Sequence, residues 1–148
     1  MGGLTPVTPA CIMRSAEALG VPPLAIIGIL SVERGQVGRG TPDQNGTTDY
    51  GPMQINSIWF RTLWSRFRLT PRTIENNGCL NIWSGAWILR HEWRANGPKS
   101  SVWNAIANYH SRTPWLARGY ALQVFHNLSQ GVSVPALLNS ANAVVDGY

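Results

Sequence analysis

The sequence predicts a mainly α single domain with a short β-hairpin or loop excursion between Glu33 and Gly51. Three observations carry that expectation. The chain has 148 residues, 44% of them hydrophobic, and a domain of about 150 residues buries roughly 68–70% of its unfolded surface. Pro and Gly recur as helix starts and stops. Between them, apolar residues return every three or four positions.

Thr8-Pro9 reads as an N-cap followed by the first helical residue, and Ile12, Ala16 and Leu19 share a face until Gly20 stops the segment. Pro22-Pro23 opens a second helix running to Glu33, apolar nearly all round and therefore the expected buried central helix. Residues 35–50 read as loop or short hairpin, with an Asn45-Gly46 turn. Ser57 is expected to cap a helix carrying Phe60, Leu63, Trp64 and Phe67. Thr70-Pro71 starts a short turn closed by Asn77-Gly78, and Ile82, Trp83, Ala86, Trp87, Leu89 and Trp93 follow a helical period up to Gly97. Ser100 or Ser101 caps a segment through Tyr109, and Thr113-Pro114 opens the last clear helix, ending near Gly131. Residues 1–131 thus read as the domain, and 132–148 as a C-terminal tail with one weak helical stretch after Pro135.

Charged residues are only 13% of the chain, against a usual ~25%, so surface polarity must come from neutral hydrogen-bonding side chains. Twelve Lys+Arg against seven Asp+Glu give a formal charge of +5. That balance suits a polyanionic neighbour: nucleic acid, an anionic lipid surface or an acidic cell-wall polymer. Scattered Arg residues without a reader motif disfavour nucleic acid. No run of 18 apolar residues exists, so no membrane span is expected. The opening Met1 to Pro6 has neither a basic nor an apolar leader region, which leaves a cytoplasmic chain or a mature form with its leader removed. Two cysteines, Cys11 and Cys79, exclude a disulfide-dense miniprotein and a four-thiolate zinc site. Two separate buried thiols or one structural disulfide remain open.

Two acids stand out by environment. Glu33 ends the most apolar helix, where desolvation should raise its pKa. Asp49, in the polar, turn-rich Thr47-Thr48-Asp49-Tyr50-Gly51, is expected to stay ionised. Carboxyls pushed apart in pKa suit acid-assisted glycoside cleavage. The competing reading pairs Glu33 with Arg34 or Arg39 and makes Asp49 an Asx-turn residue. His91 lacks the second His of a zinc helix and reads as a helix-surface residue. Trp83 and Trp87 read as core, while Trp59 and Phe60, directly after a polar motif, suggest sugar stacking.

Gly51-Pro52-Met53-Gln54-Ile55-Asn56 resembles the Gly-Leu-Met-Gln-Ile signature of the lytic transglycosylases. In the expected order come Glu33 at the end of the second helix, Asn81-Ile82 with Gly85 and Leu89, and Ala105-Ile106-Ala107-Asn108-Tyr109-His110-Ser111. The resemblance spans residues 24–111 and departs at Arg34, Pro52 and His110, where that family usually has Ser, Leu and Asn. Asn45 to Gly51, followed by Gln54-Ile55-Asn56-Ser57, is in turn similar to the active-site hairpin of c-type lysozymes, with Asp49 as the second carboxylate and Trp59 against sugar.

These resemblances imply a lysozyme-like fold and cleavage of the MurNAc-β-1,4-GlcNAc bond of peptidoglycan. Transglycosylation to 1,6-anhydro ends is favoured over lysozyme-type hydrolysis, or over glycan binding without catalysis. Glu33 and Asp49 would be catalytic. Gln54, Asn56, Trp59 and Met53 would contact the glycan, and Tyr109 would orient Glu33. No metal or cofactor is implied. The Tyr-His-Ser variant resembles the small specialised enzymes that accompany type III or type IV secretion, conjugation or pilus machines, and the chain is expected to be a monomer. The periplasmic location implied favours a Cys11–Cys79 disulfide.

Overall fold

A computed structural model describes residues 3–147; Met1-Gly2 and Tyr148, where the opening leader reading and the last tail residue fall, lie outside the described residues. Local chemistry sets most helix ends. Helix α1 (Pro9–Leu19) starts at Thr8, whose Oγ1 accepts from the Cys11 N–H at 3.2 Å, and stops at Gly20 in the left-handed region, φ 67°. Helix α2 (Pro23–Glu33) ends at Arg34. Three short strands follow, β1 (Gly40–Pro42), β2 (Thr48–Tyr50) and β3 (Ile55–Asn56), antiparallel in the order β1-β2-β3. Asp49 sits in register with Thr41 on one side and Asn56 on the other.

A 3₁₀ turn (Ser57–Trp59) leads into α3 (Phe60–Phe67) and then α4 (Pro71–Asn76). The expected Ser57 cap is not the one used. Asn56 caps this turn, accepting from the Ile58 N–H at 3.0 Å, while the Ser57 hydroxyl accepts from the Thr48 N–H at 3.1 Å. Helix α5 (Gly78–Ala95) begins earlier than its apolar period suggests, because the Asn77 side chain accepts from the Leu80 N–H. Helices α6 (Val102–His110) and α7 (Pro114–Gln130) complete the body around α2. The fold is mainly helical with one small antiparallel sheet.

The expectation of a central α2 holds: Ile26 and Ile29 are fully buried, and the helix packs on α1, α5, α6 and α7. Gly28 permits the α2–α7 approach, since a Cβ there would strike Val124. The segment read as a tail is instead part of this packing. It forms α8 (Val134–Ala141), which also packs on α2, and α9 (Ala143–Asp146). Leu137 and Leu138 are buried, and the Asn142 amide both accepts from the Val7 N–H (2.8 Å) and donates to the Val7 carbonyl (2.9 Å). Eight residues are too few to hold a helix in water without a partner surface, which is why the sequence pattern there looks weak.

Cys11 of α1 and Cys79 of α5 form a disulfide. No helix among the described residues is long and apolar enough to cross a membrane.

Candidate functional site

A cleft of about 870 Å³ opens between the end of α2, the sheet and the end of α6. Its lining brings together Glu33, Asp49, Gln54, Asn56, Trp59 and Tyr109 from five separate elements of the chain. Met53, the remaining sequence candidate for glycan contact, is not among them. Its side chain is fully buried, against Gly85 of α5, so it is a core residue.

The loop carrying Met53 is held by complementary parts of the motifs. The Asn81 Oδ1 accepts from the Met53 N–H at 2.9 Å, and its Nδ2 donates to the carbonyls of Tyr50 (2.8 Å) and Ile74 (2.9 Å). Gly51 adopts φ 70°, and a Cβ there would strike the Asn81 amide. A Cβ at Gly85 would strike the Met53 sulfur, and one at Gly35 the Gly51 carbonyl. A fully buried amide that satisfies three backbone groups at once fixes where the strands to either side emerge.

Tyr109 belongs to the same clamp. Its hydroxyl donates to the Met53 carbonyl at 2.7 Å, not to Glu33 as expected. Tyr120 of α7 takes that role, its hydroxyl donating to Glu33 Oε2 at 2.6 Å. The His110 ring stacks on Tyr120, centroids 4.9 Å apart and planes within 8°, and so holds the phenol in place. Nothing in the sequence pattern singles out Tyr120, because its partner lies 87 residues away.

The Glu33 pKa rises from 4.5 to about 7. Burial is the largest cause; the Tyr120 hydrogen bond opposes it, and the charge of Asp49 adds to it. Near neutral pH the group is therefore divided between acid and base. The alternative expected, an ion pair with Arg34 or Arg39, does not form among the described residues.

Asp49 lies in the polar, turn-rich setting expected of it, and its pKa is raised from the ordinary value. Half-burial is the largest cause raising its pKa, the Asn56 hydrogen bond opposes the rise, and Asp43 adds to it. Asn56 Nδ2 donates to Asp49 Oδ1 at 2.8 Å and lies 2.9 Å from Thr47 Oγ1 and 3.2 Å from Asp43 Oδ2. Asn56 is thus largely committed to holding the acidic pair. Gln54, at φ 52°, donates Nε2 to the Gly51 carbonyl at 3.0 Å while its side chain still lines the cleft. Asp43 is a site residue that the sequence pattern did not mark.

Trp59 lines the cleft and also packs edge-on against Trp87 (5.9 Å) and His91 (5.5 Å). His91, expected on a helix surface, is half-buried and stacked on Trp87 at 5.1 Å. At the rim, Arg112 makes a two-pronged pair with buried Glu92, both contacts 2.7 Å. Among the described residues no group of three or more His, Cys, Asp or Glu side chains converges as a metal site.

The arrangement can deliver a proton from Glu33 into the cleft and place a second carboxylate beside any positive charge that develops there. Compared with known proteins, the chain matches no protein-family model and no curated protein sequence.

Proposed function

We propose that this chain is a peptidoglycan-cleaving muramidase of lysozyme-like fold that cuts the MurNAc-β-1,4-GlcNAc bond as a lytic transglycosylase. One observation carries the reading: Glu33, a carboxyl whose pKa is about 7, and Asp49, a second carboxylate whose charge helps to raise it, line one open cleft. Glu33 protonates the glycosidic oxygen, and the C1–O bond breaks as the muramyl ring approaches an oxocarbenium ion. The Asp49 carboxylate stabilises that cation. Glu33, now ionised, takes the proton of the muramyl 6-hydroxyl as its oxygen closes on C1, which gives the 1,6-anhydro end and restores the acid. Trp59 offers an aromatic face for a sugar ring.

Asp49 also favours a second reading. In a retaining hydrolase the same carboxylate captures or shields the cation until water attacks, leaving a reducing end. The Cys11–Cys79 disulfide is compatible with an oxidising compartment such as the periplasm. There the enzyme would open the wall locally for a secretion, conjugation or pilus machine.

Mass spectrometry of muropeptides released from purified peptidoglycan tests both readings. Anhydro-muropeptides are expected. Reducing ends would make the chain a hydrolase, and no release at all would leave a glycan-binding factor.

A further inference from the structure

The cleft does not end at Glu33. Glu33 and His110 also line a second hollow of about 330 Å³, walled by Trp115, Leu116 and Tyr120. Val32 and Gln123 of that hollow line in turn a third recess of about 690 Å³, between the end of α2, α7 and α8. Shared lining residues set the three hollows side by side in series, with Glu33 between the first and the second. Their chemistry differs. The first contains Glu33, Asp43 and Asp49, with His110 and with Arg112, whose charge is paired to Glu92. The third has no Asp or Glu in its lining, and instead has Arg34 and His126 among the neutral amides of Gln123, Asn127 and Gln130.

Arg34 is the residue that departs from the motif around Glu33. It ends α2 at φ 53°, a left-handed backbone that Gly adopts at less cost, and this turn places its side chain in the recess rather than in the cleft. Its Nε donates to the Ser31 carbonyl at 3.2 Å. It forms no ion pair among the described residues. Arg presents planar, paired donors suited to a carboxylate. The surrounding amides offer donors and acceptors at once, as a peptide backbone does.

We propose that this recess binds the peptide branch carried by the muramyl sugar, with Arg34 holding a carboxylate of that peptide. The inference rests on the muramidase reading, because the recess is reached from the cleft by way of the hollow beside Glu33. It makes Arg34 a specificity residue for peptide-bearing over bare glycan.

The test compares kcat/KM on soluble glycan strands that keep their peptides and on the same strands stripped of them by an amidase. Wild type is expected to prefer the peptide-bearing strands by about tenfold, the scale of one charge-assisted contact. Arg34→Asn, which tolerates the left-handed backbone, brings that ratio close to one, mostly through KM, and Arg34→Lys retains part of it. A wild-type ratio near one, or an unchanged ratio in Arg34→Asn, overturns the proposal. If wild type cuts neither strand, the muramidase reading fails, and titration with a soluble disaccharide-tripeptide decides the recess separately. NMR shifts at Arg34 and His126 that vanish when the peptide carboxyls are amidated support the site; no shifts refute it.

Discussion

The two walls of the cleft hold the same functional group in different surroundings. On the helical wall, Glu33 ends an apolar helix and has one hydrogen-bond donor, Tyr120, so desolvation dominates and the proton is held to about pH 7. On the sheet wall, Asp49 sits on a three-residue strand in a polar mesh of Asn56, Thr47 and Asp43, where an amide donor opposes the effect of burial. Each carboxyl accepts one side-chain hydrogen bond that opposes the effect of burial, so what separates the two walls is how far each acid is taken out of water. The helical wall makes an acid, and the sheet wall a place for negative charge.

Replacing Glu33 breaks the comparison at its stronger end. Glu33→Gln should lower cleavage by about 10²–10⁴-fold, the usual worth of a positioned proton donor. It should also stabilise the fold at neutral pH. Between its ordinary pKa of 4.5 and about 7, folded Glu33 keeps a proton that the unfolded chain has lost. Wild-type stability therefore falls as pH rises through that window. The Tm of Glu33→Gln should exceed that of wild type above pH 7, and the gap should close below pH 4.5. Equal melting temperatures at both pH values would show that Glu33 is not desolvated.

Asp49→Asn removes charge from the sheet wall while keeping the shape. A loss of about 10²-fold in rate is expected, comparable to that of a pre-organised electrostatic partner. Because the Asp49 charge raises the Glu33 pKa, the alkaline limb of the pH–rate profile should also move down. Full activity with an unmoved limb would make Asp49 a turn residue.

The two tyrosines sharpen the contrast at smaller cost. Tyr109→Phe leaves the Met53 carbonyl without its donor and should cost about 1 kcal/mol of stability by denaturant titration, with the alkaline limb in place. Tyr120→Phe removes the bond that lowers the Glu33 pKa, so that limb should move up. A reversal of these two behaviours would restore the pairing expected from the motif.

Much of this was legible in the chain. The mainly α class, the buried α2 and the hairpin turn at Asn45-Gly46 rest on local signals, helix punctuation and apolar periodicity, while the placement of Glu33, Asp49 and Trp59 in one cleft was implied by the resemblance of their motifs to two families. What failed shares one cause. Met53 in the core, Tyr109 on a loop carbonyl, and the packed segment after Gly131 each depend on a partner far away in sequence.

Sequence by itself determined most helix ends and the buried face of α2, and singled out Glu33 and Asp49, because caps, Gly turns and apolar stripes act over a few residues and need no partner. Tertiary structure alone decided which phenol serves Glu33 and which clamps the loop. Both tyrosines are half or wholly buried with a single hydroxyl to satisfy, and only the packing of α6 and α7 against α2 settles which acceptor lies within about 3 Å of each.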